Sequence, residues 1–166
     1  TDASTSTISL TSAVAISLGT SLSSLNSAAK IQITDKPSMA QAIALSELAK
    51  PANSQTSTFN LVGSFAIESD GSDITSNGLI AIDAIKSSVA SVNITAPTTL
   101  DKVLMLTARN YKVSPVKVID NASAIATIVQ TRGVNGITDT DLAAISSISA
   151  IGPLAVNNAK LVNDSR

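Results

Sequence analysis

A chain of 166 residues with eleven Lys and Arg, twelve Asp and Glu, and neither histidine nor cysteine has room for one domain or one stack of repeats. Lacking histidine and cysteine, it has no Ser-His-Asp triad, thiol nucleophile, disulfide or ordinary zinc site. A net charge of -1 and an aromatic content of 2% provide neither a basic stripe nor a stacking platform for bases, so nucleic acid is not an expected partner.

Apolar residues make up 44% of the chain with almost no aromatics, so a core must be assembled from Ile, Val, Leu and Ala. The charged fraction is 14%, against about 25% in ordinary soluble domains, while Ser and Thr supply about a quarter of the residues. Hydroxyls therefore stand where charges usually do. With a mean hydropathy of +0.32 and little net charge, side-by-side association is weakly opposed and self-assembly is expected. No apolar run nears the roughly 20 residues that span a bilayer, so membrane insertion is not expected. The opening Thr1 without an initiator methionine reads as a processed product or an excerpt of a longer protein. The absence of cysteine fits the large surface and secreted proteins of bacteria, an extracellular or cell-surface location, although many cytosolic proteins also lack it.

In chain order, Val14, Leu18, Leu22 and Leu25 fall at i, i+4, i+8 and i+11, one face of a helix running from Ile8 to Leu25; a flexible mucin-like stalk is the competing reading. Lys30 to Thr34 alternates as a short strand. Asp35-Lys36-Pro37-Ser38 then supplies an N-cap and an early proline for a helix from about Ser38 to Ala49, stopped by Pro51. The polar stretch from Ala52 to Thr58 is expected to form a loop or short edge hairpin. Phe59 to Ile67 reads as extended, and a turn follows from Glu68 to Asp73. Leu79, Ile82, Ile85 and Val89 make the next helical stripe. Ser91 to Thr95 is a strand, and Thr98 or Thr99 caps a helix carrying Leu100, Val103, Leu104 and Thr107. Val116-Lys117-Val118 is extended, Asp120 caps a helix with Ile125, Ile128 and Val129 inward, and Gly133 stops it. Thr138 and Asp141 have capping-box spacing before a helix carrying Leu142, Ile145 and Ile148, and a last extended piece lies around Leu154 to Val156.

Three copies of one phrase stand out: IQITDKPSMAQAIAL at Ile31, VNITAPTTLDKVLML at Val92 and VKVIDNASAIATIV at Val116. Each is an alternating apolar tripeptide, a capping cluster and an apolar helix, and most steps between strand starts are about 23 to 27 residues, one βα unit. Strands that alternate with helices pair in parallel. Because they are short and interleave Gln32, Asn93 and Lys117 with apolar positions, a one-sided α/β solenoid of short parallel strands alternating with helices is expected. A small three-layer parallel α/β domain, which favours longer and continuously apolar strands, is the alternative. Residues 1–30 would form a Ser/Thr-rich helical repeat or cap, and residues 31–166 the α/β repeat domain, the two making one structural unit.

The phrases VKVIDNASAIATIV, SSVASVNITAPTTLDKVLMLTARNYKV and ISAIGPLAVNNAKLV resemble the degenerate α/β repeats of large secreted bacterial proteins of the repeats-in-toxin, surface-layer and adhesin type. The likeness covers roughly Ile31 to Val162. It implies an extracellular protein serving in a surface coat, in adhesion or in filaments, often with calcium. The chain departs from that group in having no GGxGxD run.

The remaining chemistry is thin. Glu68, Asp70 and Asp73, with Ser69 and Ser72 around Gly71, are a candidate oxygen set for calcium; capping is the competing reading. The distal glutamate of a twelve-residue calcium loop is missing. Ser27 with Lys30, and Ser114 with Lys117, match Ser-x-x-Lys, but both sit at strand entries, where the spacing loses its helical meaning. Sequons at Asn93, Asn121 and Asn163 read as structural asparagines. No catalytic residue and no bound cofactor are expected, calcium being the one candidate. The leading expectation is a structural module that self-associates or joins neighbouring modules of the same parent in a surface layer, fibre or sheath. The alternatives are an adhesin-like module binding glycan or calcium, and an accessory domain of a larger secreted enzyme.

Overall fold

The computed structural model describes residues 7–19, 21, 30–49, 60–130 and 137–152, the side chains of 128–130 excepted. Among the described residues seven short strands alternate with helices: β1 (Thr7–Leu10), α1 (Ser12–Leu18), β2 (Lys30–Ile33), α2 (Met39–Ala49), β3 (Asn60–Leu61), β4 (Phe65–Ser69), α3 (Ser76–Ile82) running into a 3-10 segment (Asp83–Ser88), β5 (Val89–Ile94), α4 (Leu100–Ala108), β6 (Val116–Asn121), α5 (Ala122–Gln130), α6 (Asp139–Ala143) and β7 (Ile145–Ile151). The protein is thus a mixed α/β fold with short parallel strands. None of its described sheets closes into a barrel. It divides into two compact units, one within Thr1–Ser69 and Asp73–Asn93, the other within Asp70–Ser72 and Ile94–Arg166.

In the first unit β1, β2 and β3 pair in that order, both pairs parallel, with Ile8 opposite Ile31, Leu10 opposite Ile33, and Ile31 opposite Leu61. Pro37 and Ser38 extend the parallel pattern: the Glu68 amide donates to the Pro37 carbonyl at 2.9 Å, and Ser38 bridges Glu68 in parallel. β4 and β5 form a two-stranded sheet. The alternation that marks the strands buries Ile31, Ile33, Phe65, Ile67 and Val92, and the helices meet them with Met39, Leu45, Leu79, Ile82 and Ile85.

The segment from Ile8 to Leu25 departs from its predicted single helix. Thr7 to Leu10 is a strand and only Ser12 to Leu18 is helical; Leu22 and Leu25 lie outside the described residues. Val14 and Leu18, expected inward, are exposed, and the buried positions of α1 are Ser12 and Ala15. Small residues let α1 approach α2 closely, and Thr-Ile-Ser-Leu has the two-residue alternation of a strand. Val89, placed on a helix by its spacing, opens β5 instead. The predicted loop from Ala52 to Thr58 lies outside the described residues.

In the second unit Thr98 bridges Val118 in parallel, and β6 pairs in parallel with β7. The core gathers Leu100, Val103, Val116, Val118, Ile125 and Ile137, flanked by the partly buried Ile94, Leu104, Ile145 and Ile148. α4 ends at Asn110, whose φ of 56 lies in the left-handed region, and the Tyr111 amide returns to the Leu106 carbonyl at 3.0 Å, the hydrogen bond of a Schellman cap. Ile128 is expected inward on α5; its side chain, like that of Val129, lies outside the described part.

Ile145 and Ile148, read as one helical face, belong to β7. Their pairing explains the spacing. Val116 faces Ile145 but Lys117 faces Ser147, so Ser146 is an extra residue in the ladder. In a regular strand positions i and i+3 point to opposite faces; a bulge cancels one step and lets both isoleucines pack on one core. The extended piece expected around Leu154 to Val156 lies outside the described residues.

Val118 is fully buried and Ile94 only partly. Val118→Asp should cost about 3–5 kcal/mol, the penalty of an uncompensated buried charge, and Ile94→Asp clearly less, as read by urea unfolding followed by circular dichroism. Parent-like melting of Val118→Asp would contradict the inward placement of β6.

Candidate functional site

The polar side chains of this protein converge on helix starts. Every helix leaves its first amides without intrahelical acceptors, and four hydroxyl-led caps meet that need locally. Thr11 accepts from Val14 at 3.4 Å and Thr75 from Gly78 at 3.1 Å. Ser38 and Gln41 cap each other reciprocally, the Ser38 hydroxyl accepting from the Gln41 amide at 3.2 Å while the Gln41 side-chain oxygen accepts from the Ser38 amide at 2.9 Å. Thr138 and Asp141 form the predicted capping box.

Two further caps reach across the ladder. Asp35, at the end of β2, accepts from the Ser12 amide and the Ser12 hydroxyl, both at 2.8 Å. Asp120, near the end of β6, accepts from the Leu100 amide at 3.0 Å. Ser12 and Leu100 are the first residues of α1 and α4, so each carboxylate caps the helix of the preceding βα unit. Sequence spacing assigns both to the helix that follows them, and the structure corrects that assignment: α2 is capped by Ser38, and Asn121 takes the start of α5, its side-chain oxygen accepting from the Ser123 amide at 2.8 Å. The recurrence of an aspartate at or just past a strand end, at Asp35 and Asp120, is the available signal.

The candidate calcium turn is divided among separate partners. Glu68 pairs with Lys36 at 3.1 Å, both well exposed, a geometry worth little. Asp73 accepts from the Ser69 hydroxyl. Asp70 accepts from the Ser72 amide at 2.8 Å and the Ser72 hydroxyl at 2.6 Å; that hydroxyl, then that amide, hold its carboxyl below the ordinary range, with the Lys102 charge adding to them against a small burial effect. The turn's main chain already meets a cation: the Lys102 ammonium donates to the Gly71 carbonyl at 2.7 Å and the Ser72 carbonyl at 3.2 Å. Gly71 is required there, because its φ is 89 and a Cβ at this position would lie only 2.7 Å from the Thr98 hydroxyl oxygen. Among the described residues no group of three or more acidic, histidine or cysteine side chains is placed to hold a metal ion.

Other candidates disperse as well. Ser114 precedes β6 and is separated by Pro115 from Lys117, which is exposed on the strand; Ser27 lies outside the described residues. Asn93 sits in β5 and accepts from the Ser91 hydroxyl at 3.1 Å, and Asn163 lies outside the described residues. The buried hydroxyls are spent internally: Ser46 donates to the Ala81 carbonyl and Thr107 to Asp141. Among the described residues no buried side-chain nitrogen or oxygen lacks a hydrogen-bond partner, and no helix is long and apolar enough to cross a membrane.

Comparison with known proteins returns nothing: no family model, curated protein or solved structure matches the chain.

Asp35→Ala and Asp120→Ala should each cost about 1 kcal/mol, the usual loss on removing a helix cap, measured by denaturant unfolding. Asp141 carries a pH signature. Burial pushes its carboxyl up, but the Thr107 hydroxyl and the Thr138 hydroxyl and amide outweigh it, and the net shift is below the ordinary value of 3.8. The native state therefore binds fewer protons than the unfolded chain, so this stabilisation is present above pH 3.8 and is lost as pH falls through the lower native value. Asp141→Asn should lower the melting temperature at neutral pH and flatten its fall below about pH 4; equal acid slopes in parent and variant would remove Asp141 from this role.

Proposed function

We propose that the chain is a structural repeat module of the extracellular surface. It stacks its βα units as a one-sided α/β solenoid and associates with copies of itself, or with neighbouring modules of the same parent, in a surface layer, fibre or sheath. The observation that carries this reading is the repeated cross-ladder cap. Asp35 to Ser12 and Asp120 to Leu100 place the same contact, over 23 and 20 residues, in each of the two units. A stack needs such a device, because each βα layer must satisfy the exposed helix start of its neighbour as well as its open strand edge.

Two further features support it. Strands that are neighbours in sequence are neighbours in each described sheet, the order of a solenoid. The polar groups an enzyme would employ serve as caps, so the proposal assigns no catalytic residue and no cofactor. The resemblance to secreted bacterial repeat proteins supplies the location.

Light scattering against concentration, with electron microscopy of the concentrated protein, tests the proposal. Ordered polymers that grow with concentration are the expected outcome. A strict monomer whose melting temperature rises with calcium or a glycan would replace this reading with the adhesin-like one.

A further inference from the structure

We propose that Asn121 is a glycosylation site whose side-chain nitrogen receives an oligosaccharide carried through pyrophosphate on a membrane polyprenol. The inference rests on the extracellular location proposed above, because such transfer accompanies export.

Asn121-Ala122-Ser123 has the acceptor pattern, with no proline at its centre. The same triplet opens α5, and the two uses fall on different atoms. The Asn121 side-chain oxygen accepts from the Ser123 amide at 2.8 Å. Only the oxygen can accept from an amide, so the orientation of the side chain is fixed and Nδ2, the atom that carries a glycan, is left out of the cap. Asn121 and Ser123 are both exposed. A sugar on Nδ2 therefore leaves the start of α5 as it is.

The other sequons differ. Asn93 lies half-buried inside β5, between the buried Val92 and the partly buried Ile94, and accepts from the Ser91 hydroxyl at 3.1 Å. A bulky group there has to be fitted against the sheet. Asn163 lies outside the described residues.

The surroundings of Asn121 match a sugar. Alternation along β6 sets Ile119 on the same face, and the ladder pairs Asn121 with Ile151, at 61% the most exposed large aliphatic among the described residues. A pyranose ring is lined by C–H groups on its faces and by hydroxyls at its rim. Lying over Ile151, the first sugar covers apolar surface while its hydroxyls stay in water. The transfer itself balances: Nδ2 bonds to the anomeric carbon, the bond from that carbon to the pyrophosphate oxygen breaks, the pyrophosphate leaves on its lipid, and one Nδ2 proton passes to the transferase.

The test is peptide mapping by mass spectrometry of the protein from its natural source, recovered separately from cytosol, cell surface and medium. The expected result is surface or medium material with a glycan on Asn121. A second arm secretes the full chain from a eukaryotic host with three variants. Ser123→Ala removes the sequon hydroxyl and keeps the capped amide; Asn121→Asp removes Nδ2 and keeps the accepting oxygen. Both should lose the glycopeptide while their unglycosylated forms melt like the enzymatically deglycosylated parent, a result that a role in capping alone would not give. Asn93→Gln should keep it. Surface or medium material with Asn121 unmodified overturns the site and leaves the location standing, as does a glycan found on Asn93 in place of Asn121. Recovery in the cytosol alone overturns both.

Discussion

The constraint on which the rest depends is that a short parallel strand feeding a helix leaves two sets of unsatisfied groups at once. One is the outer edge of the strand, and the other is the first turn of the helix. Parallel pairing of β1 with β2 and of β6 with β7 meets the first. The carboxylates at the ends of β2 and β6 meet the second by reaching back to Ser12 and Leu100. The two solutions are coupled: a cap spanning 20 or more residues forms only once the strands are in register. At α1 and α4 helix initiation thereby has a tertiary part, as fits helices of five to eleven residues that are too short to be stable alone.

Composition and packing follow from the same geometry. A small α/β fold of short strands has a core assembled mainly from Ile, Val, Leu and Ala, with Phe65 and Tyr111 the buried aromatics among the described residues. Ser12 and Ala15 carry the idea furthest, as the buried positions of α1 are small enough for close helix approach. Hydroxyls then do the polar work that ion pairs do elsewhere. Buried ones such as Ser46 and Thr107 are committed to a backbone carbonyl or a carboxylate, leaving a surface with few charges to oppose contact between copies. Structure and proposed assembly thus share one origin.

The turn around Gly71 shows how an acidic cluster is tied to neighbouring groups. Its carboxylates have distinct partners, Lys36, Ser72 and Ser69, and the Gly71 and Ser72 carbonyls are taken by Lys102, 31 and 30 residues away. Nothing in Glu-Ser-Asp-Gly-Ser-Asp announces a lysine on a later helix. The capping box of Thr138 and Asp141 was legible for the opposite reason: both partners lie within one turn, so spacing alone brings them together.

What the sequence by itself determined is the set of local choices. These are the alternation that buries Ile31, Ile33, Val116 and Val118, the capping clusters, the helices that follow them, and hence a mixed α/β chain of short strands. Each depends on neighbours a few residues away, where two-residue and 3.6-residue periods are readable. Only the tertiary structure decided which helix Asp35 and Asp120 cap, that Val14 and Leu18 face outward, and that a bulge at Ser146 sets Ile145 and Ile148 on one core. In each of those cases the deciding partner is a strand or helix 20 or more residues away, and the lower free energy of the paired ladder overrides a local period that pointed elsewhere.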